Sequence, residues 1–338
     1  MKNLISLSLA SLVVLTVGLC AFQGVGDAEP AASPSLLARK VLESFDAKQR
    51  KQASLAFASE ERFNWDFVPR ETNMVSDRKG VALKHLNPAQ RAKFHTFLKS
   101  ALSKVGYQRA EQVRFLEGLL LEKEGAGRRF TRDPEYYFIS FFGMPGDAEW
   151  GWRFEGHHLC LNFTYHKEKL VSATPLCMGA NPARVESGKQ KGLRVLGPLE
   201  DTARELVRSL SDAQKKVALG VGKTLEVQAR RKRKYDVPLP KGVLASELSE
   251  TQKRQLLKVI SHYTENLTDD LAATATARLK KAGVDKIEIT WRGSLEPKQP
   301  HSYIFHGPTF VISYVNDQNN ALHVHAALRQ LGGDFGLD

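Results

Sequence analysis

Imidazoles concentrate in the strand-like parts of this sequence. Of its ten histidines, five lie in three short motifs: Gly156-His157-His158-Leu159 beside Glu155, His306-Gly307-Pro308-Thr309, and His323-Val324-His325 near the C-terminus. A His-x-His pair on a strand projects both rings from one face about 7 Å apart, because side chains alternate. One strand can thereby give two nitrogens to a single ion. Neutral imidazole suits zinc, copper, iron or nickel, and a set of three ligands leaves a position for water or substrate. The expected metal site is His323, His325 and one of His157 or His158, with His306 as a further candidate. Glu155 is the candidate catalytic carboxylate, acting as ligand, as partner of a ligating ring or as general base. The competing reading is that these rings only hydrogen-bond to backbone or aromatic neighbours, since His-x-His is common by chance. His85, His95, His166, His262 and His301 read as surface or packing residues.

The strand that carries the adjacent pair sets which ring is available. Read as one strand over 150–165, its odd positions Leu159, Leu161 and Phe163 are apolar, whereas Cys160, Asn162 and Thr164 form a more polar even face. Adjacent residues then face opposite ways, so only one of His157 and His158 joins a given site. Parity favours His158; His157 becomes a core histidine, or the ligand if the site lies under the sheet. The segment 170–176 answers across Lys167-Glu168-Lys169 as a hairpin. A turn centred on Glu168-Lys169 sets Lys167 opposite Leu170 and Cys160 opposite Cys177. Facing cysteines bridge when the pair is of the closer, non-hydrogen-bonded kind, and a disulfide is expected there.

Helical blocks surround these strands. Apolar spacing predicts helices over 36–57, broken by Asp46 as an N-cap, and after Asn87-Pro88, with Phe94, Phe97, Leu98 and Leu102 as the buried stripe and Gly106 as the stop. The segment 108–124 repeats the pattern, and four more helices are expected at 199–210, 211–223, 249–263 and 268–281. The segment 63–70 reads as extended. Strands return at 286–292 and in a hairpin, 303–314. Trp150, Trp152 and Phe154 share a face and read as core. Asn316-Asp317-Gln318-Asn319-Asn320 is either a turn that satisfies its own backbone or a set of amides for a substrate. Arg132-Asp133-Pro134-Glu135 reads as an element entry held by an Arg–carboxylate pair. Because helices and strands are segregated, the expected class is α+β: an antiparallel or mixed sheet, helices mainly to one side, in a single domain over 29–338.

The chain has 338 residues and a formal charge of +12, and a chain this long can bury a core without metal or disulfide staples. Its basic residues lie mostly in amphipathic helices. The dense run Arg230 to Lys234 has no interleaved aromatics, reads as a helix end or loop, and no nucleic-acid partner is expected. Lys2, the apolar run 4–19 and the small residues Gly24, Gly26 and Ala28 form a signal sequence over 1–28. The run is shorter than the roughly 20 residues of a membrane span, and no second such run follows. The expected setting is periplasmic or secreted, where a cysteine pair oxidises. Phosphate-loop, nucleophile-elbow, His-Glu-x-x-His and Cys-rich zinc motifs are absent.

Several segments in order, Arg132-Asp133-Pro134-Glu135-Tyr136-Tyr137, Trp150 to Leu159, Asn162-Phe163-Thr164, Thr174-Pro175, Gly179 to Ala183, His306 to Phe310, Gln318-Asn319-Asn320 and His323-Val324-His325, resemble the domain-of-unknown-function 3500 family from about Trp65 to Phe335. The resemblance implies one domain, often exported, and no established activity. The family tends to carry an acidic residue where Val315 stands. Two functions follow as expectations: an exported metalloenzyme, a hydrolase with zinc or an oxidase with copper or iron, or a non-catalytic exported protein that binds a small molecule or envelope component.

Overall fold

Side-chain caps start the helices where the sequence places them. In the computed structural model, which describes residues 32–73, 75–125 and 129–337, Ser33 caps α1 (Pro34–Ser44) and Asp46 forms a capping box with Gln49 at the start of α2 (Ala47–Ala53). The leader expected over 1–28 lies outside these residues. Asn87 and Gln90 make the same box for α3 (Pro88–Ala101), and Ser103 caps α4 (Lys104–Glu124). Gly106 is therefore inside α4 and not a helix stop. Its glycine is needed for a close approach: a Cβ there would lie 2.0 Å from the Asn266 carbonyl oxygen. Then follow α5 (Gly197–Ser209), α6 (Asp212–Ala218), α7 (Glu250–Thr264) and α8 (Asp269–Ala282), the last ended by Gly283 at φ 102°. Among the described residues no helix is long and apolar enough to cross a membrane.

The main sheet has nine longer strands: β1 (Phe138–Phe142), β2 (Glu149–Gly156), β3 (Leu159–His166), β4 (Lys169–Ser172), β5 (Leu176–Ala180), β6 (Glu288–Gly293), β7 (His301–Gly307), β8 (Phe310–Gln318) and β9 (His323–Gln330). Their order is β1-β2-β3-β5-β9-β8-β7-β6, antiparallel throughout, with β4 beside β3. Short parallel strands at the two edges make the sheet mixed, and the class is α+β. The segment 150–165 is not one strand. Gly156 pairs with Leu159, so His157 and His158 are the two residues of a tight hairpin turn, His158 at φ 63°. The expectation that they face opposite ways fails for that reason.

Two halves of the chain repeat one plan. Ser54–Leu55 runs parallel to β1, and Leu219–Gly220 parallel to β6; Val81–Ala82 and Val243–Leu244 pair antiparallel to the same two strands. Gln90 donates to the Ser44 carbonyl and to Gln49, whose amide reaches the His85 carbonyl. Gln252 donates to the Ser209 carbonyl and to Gln214, whose amide reaches the Glu247 carbonyl. The halves meet where β5 pairs with β9 and where Leu102 bridges Leu267. The molecule is thus a pseudo-twofold duplication within one α+β unit.

One sheet face carries the principal core: Trp152, Phe154, Leu159, Leu161 and Phe163 pack with Phe94, Phe97 and Leu98 of α3. Trp150 stacks on Tyr165 at 4.3 Å and Trp152 on Phe163 at 4.4 Å, core residues as read. The opposite face is covered by irregular chain. Residues 63–70 begin in a 3-10 turn and continue without strand structure, so they are not simply extended. The basic run 230–234 is a loop; Arg230 and Arg231 pair with the fully buried Asp66 at 3.0 and 2.7 Å.

Candidate metal centre

The β2–β3 turn hangs over the start of β9. The His158 amide donates to the Phe67 carbonyl (2.6 Å), and its carbonyl accepts from Gly179 of β5 (2.7 Å). Held there, His158 Nε2 lies 2.7 Å from His323 Nε2 and 3.3 Å from His325 Nε2. The His157 ring packs on that of His158 with centroids 3.7 Å apart. Ligand atoms of His157, His158 and His323 fall within 4.8 Å of one another. His325 joins through its contact with His158, so the rings form one group of four. On a tetrahedral ion with metal–nitrogen bonds near 2.05 Å, two nitrogens sit about 3.3 Å apart. The His158–His325 separation matches that value, and His323 needs to back off by about half an ångström.

Carboxylates fix the outer nitrogens. His325 Nδ1 donates to Glu226 Oε1 (2.7 Å), and this hydrogen bond holds the Glu226 carboxyl below its usual pKa. His157 Nδ1 donates to the buried Glu117 Oε2 (2.5 Å), while Arg132 pairs with Glu117 Oε1 at 3.6 Å. A hydrogen bond from Nδ1 to a carboxylate leaves Nε2 as the atom that faces a metal, the usual outer arrangement around zinc-bound histidine. Burial and then the neighbouring imidazoles and Arg132 push His158 well below 6.5 and His323 down to about 3. Both rings are therefore neutral and able to ligate at neutral pH.

Those depressed values have a sign. The unfolded chain takes up protons on both rings near pH 6.5, while the folded chain does not until far lower pH. Stability is fully present above 6.5 and falls on acidification towards 3. In chelator-treated protein stability should fall as pH is lowered from 6.5, both rings acting in that direction, which urea denaturation at stepped pH will measure. A flat profile between 6.5 and 4.5 would show that the rings are not held neutral.

Gly179 makes the room. It faces His325 across the β5–β9 pair, and a Cβ on it would lie 2.8 Å from His158 Cγ and Cδ2. Gly179→Ala should cost about 1–3 kcal/mol by overpacking and weaken zinc uptake by displacing His158. A variant with wild-type denaturation midpoint and zinc affinity would refute this.

The remaining expected residues lie elsewhere. His306 sits at the far end of the β7–β8 hairpin, its Nε2 donating to the Pro240 carbonyl (3.0 Å). Glu155 is buried with Arg78 at 3.1 Å and Arg153 at 2.8 Å, and accepts the Asp66 amide; those cations and that amide, not imidazoles, surround it. Cys160 does face Cys177, though the turn is centred on Lys167-Glu168: a register shift at Thr164/Tyr165 adds one residue and the break between β4 and β5 a second, which together restore the pairing. Both cysteines are free thiols, correcting the expected disulfide. The Gly179-to-His158 bond marks 158/179 as a hydrogen-bonded pair, so 160/177, two steps on, is again the wider kind. Burial also pushes both thiols up. His301 is not in a loop: it starts β7, buried and stacked on Trp291 at 4.8 Å. Asn316, Asp317 and Gln318 end β8, and only Asn319 and Asn320 of that segment lie in the turn 319–322, both at positive φ; Asn316 Oδ1 accepts the His323 amide. Arg132 does hold a carboxylate pair, with Glu124 at 2.9 Å.

The family of uncharacterised proteins described as Protein of unknown function (DUF3500) matches residues 27–337. The chain belongs to the DUF3500 family. The match begins well before Trp65, so α1 and α2, and with them the first half of the duplication, are part of the family domain. No curated protein and no solved structure matches the chain. Of the residues around the DUF3500 site, Glu117, Glu226, Arg132 and Gly179 were not expected. Glu117 alone carries a sequence signal: it is a carboxylate on the buried stripe Val113, Leu116, Leu120 of α4.

Proposed function

We propose that this protein binds one transition-metal ion through His158, His323 and His325, with His157 as fourth ligand or close neighbour, and uses it for hydrolysis or oxidation outside the cytoplasm. The carrying observation is the convergence of three Nε2 atoms. His325 Nδ1 donates to Glu226, and His158 Nε2, which carries at most one proton, can serve only one of its two neighbouring Nε2 atoms at a time. A cation satisfies all three lone pairs at once. An all-imidazole set suits zinc or copper, and also iron.

Access supports chemistry over storage. His323 is half-buried while its three companions are buried. A cleft of about 1090 Å³ is lined by Asn319, Asn320 and Leu322, next in sequence to His323, and by Asn181 and Phe130. Its amides would orient a polar small molecule. The N-terminal leader pattern supports an exported setting.

Metal analysis by mass spectrometry tests this. Full-length protein purified without chelator should carry about one equivalent of zinc, copper or iron, and His323→Ala/His325→Ala should carry background metal with unchanged circular dichroism. Wild-type protein that arrives metal-free and takes up neither zinc nor copper in titration would end the proposal.

A further inference from the structure

The duplication gives the histidine site a counterpart. The Leu331 amide donates to the Thr309 carbonyl at 2.9 Å just as Gly179 donates to His158. The turn residues Pro308 and Thr309 thus stand where His157 and His158 stand. Counting back along β9 from Gln330, the partner of Phe310, and along β5 from Met178, the partner of Leu159, sets Ala173 in the place of His325 and Val171 in that of His323. The same interval from the bridged pair Leu102 and Leu267 reaches Glu117 on α4 and Ala282 on α8. Thr309, Ala173, Val171 and Ala282 all line a single cavity of about 450 Å³. The imidazoles and carboxylate of one half are replaced by apolar or hydroxyl side chains in the other.

What the cavity fits follows from its walls. Leu170, Leu267, Leu271, Leu279, Phe310 and Leu328 supply the apolar surface. Only Leu279 of α8 is buried, so the inner stripe of that helix faces the cavity and not a packed core. The size lies within the ~300–1,000 Å³ range of small-molecule sites. No Asp or Glu is in the lining; its cations are the exposed Arg278 and Lys281 of α8 and the buried Arg329, the last already paired with Asp334 at 2.6 Å. Arg278 is fixed by donating to the Val171 carbonyl (3.2 Å). Apolar walls with a cationic rim and no opposing carboxylate suit one alkyl chain with an anionic head.

We infer that this duplicated crevice is a second binding site, for a long-chain fatty carboxylate whose chain lies along α8 and whose head pairs with Arg278 and Lys281. The inference stands apart from the metal proposal.

Calorimetric titration of the full chain with sodium dodecanoate, below its micellar range, tests it. Dodecanoate should bind one to one. Decanoate and then octanoate should each bind about 15-fold more weakly, as expected for two buried methylenes per step. Arg278→Gln/Lys281→Gln should reduce dodecanoate to the affinity of uncharged dodecanol, and Ala275→Trp, which fills the groove, should abolish binding. His323→Ala/His325→Ala should leave it unchanged, separating this site from carboxylate coordination at a metal. Should Ala275→Trp fail to fold by circular dichroism, the surface charge variant and the chain-length series still decide. The inference is overturned by affinity independent of chain length, by dodecanoate binding unaffected in the charge variant, or by sedimentation showing that this face instead joins two copies of the chain.

Discussion

Arg78→Met should destabilise the protein by about 3–5 kcal/mol, the range for removing one partner of a buried ion pair. The Arg78 side chain is fully buried; it pairs with Glu71 at 2.7 Å and Glu155 at 3.1 Å, and donates to the carbonyls of Asp66 and Val68. Methionine keeps much of the volume and removes the charge. Glu155 retains Arg153, but Glu71 loses the cation it pairs with, in a site where its carboxylate is 3% exposed. Urea denaturation at pH 7 measures the loss. A deficit below 1 kcal/mol would contradict the role given to Arg78. The result also bears on the site, because Arg78 anchors the 66–68 segment whose Phe67 ring packs on His325 at 4.9 Å.

His158→Ala should weaken zinc binding more than 100-fold, whereas Glu226→Gln should weaken it by about 10–100-fold, the usual span for loss of a residue that orients a ligand. His158 is central: its Nε2 contacts the Nε2 atoms of both His323 and His325, each of which reaches only His158 in this way among the described residues. Glu226→Gln keeps a hydrogen-bond acceptor for His325 Nδ1 but removes the charge that strengthens its imidazole as a donor to metal. Competition against a chromophoric chelator gives both constants. Equal losses in the two variants would mean that His158 is not a ligand. Loss in neither would mean that zinc binds elsewhere.

Much of the fold was legible because it is written locally. Asp46, Asn87 and Ser249 cap helices as their side chains dictate, and the alternation of Leu159, Leu161 and Phe163 with Cys160 and Asn162 does separate the two sheet faces. Gly106 misled because a glycine inside a helix looks the same in sequence whether it ends the helix or admits a neighbouring backbone. Gly156-His157-His158-Leu159 misled because two bulky residues do not resemble a hairpin turn, although His158 adopts the left-handed conformation that a glycine or asparagine usually supplies. The duplication was present as a signal: Val81 to Gln90 and Val243 to Gln252 share the order short strand, 3-10 turn, leucine, cap and glutamine.

By itself the sequence determined that helices and strands are segregated, that imidazoles concentrate in the strands, and that His323 and His325 share a face. Each of these depends on neighbours within a few positions, where periodicity and capping act. Tertiary structure alone decided that the two halves join through β5 and β9, which brings a turn from one half over the first residues of a strand from the other. Packing within the first half delivered Glu117 from α4 and hid Glu155 among arginines, and the irregular cover delivered Glu226. Contacts between residues far apart in the chain, from 40 positions for His157 and Glu117 to 165 for His158 and His323, depend on how whole surfaces pack, and no local pattern encodes them.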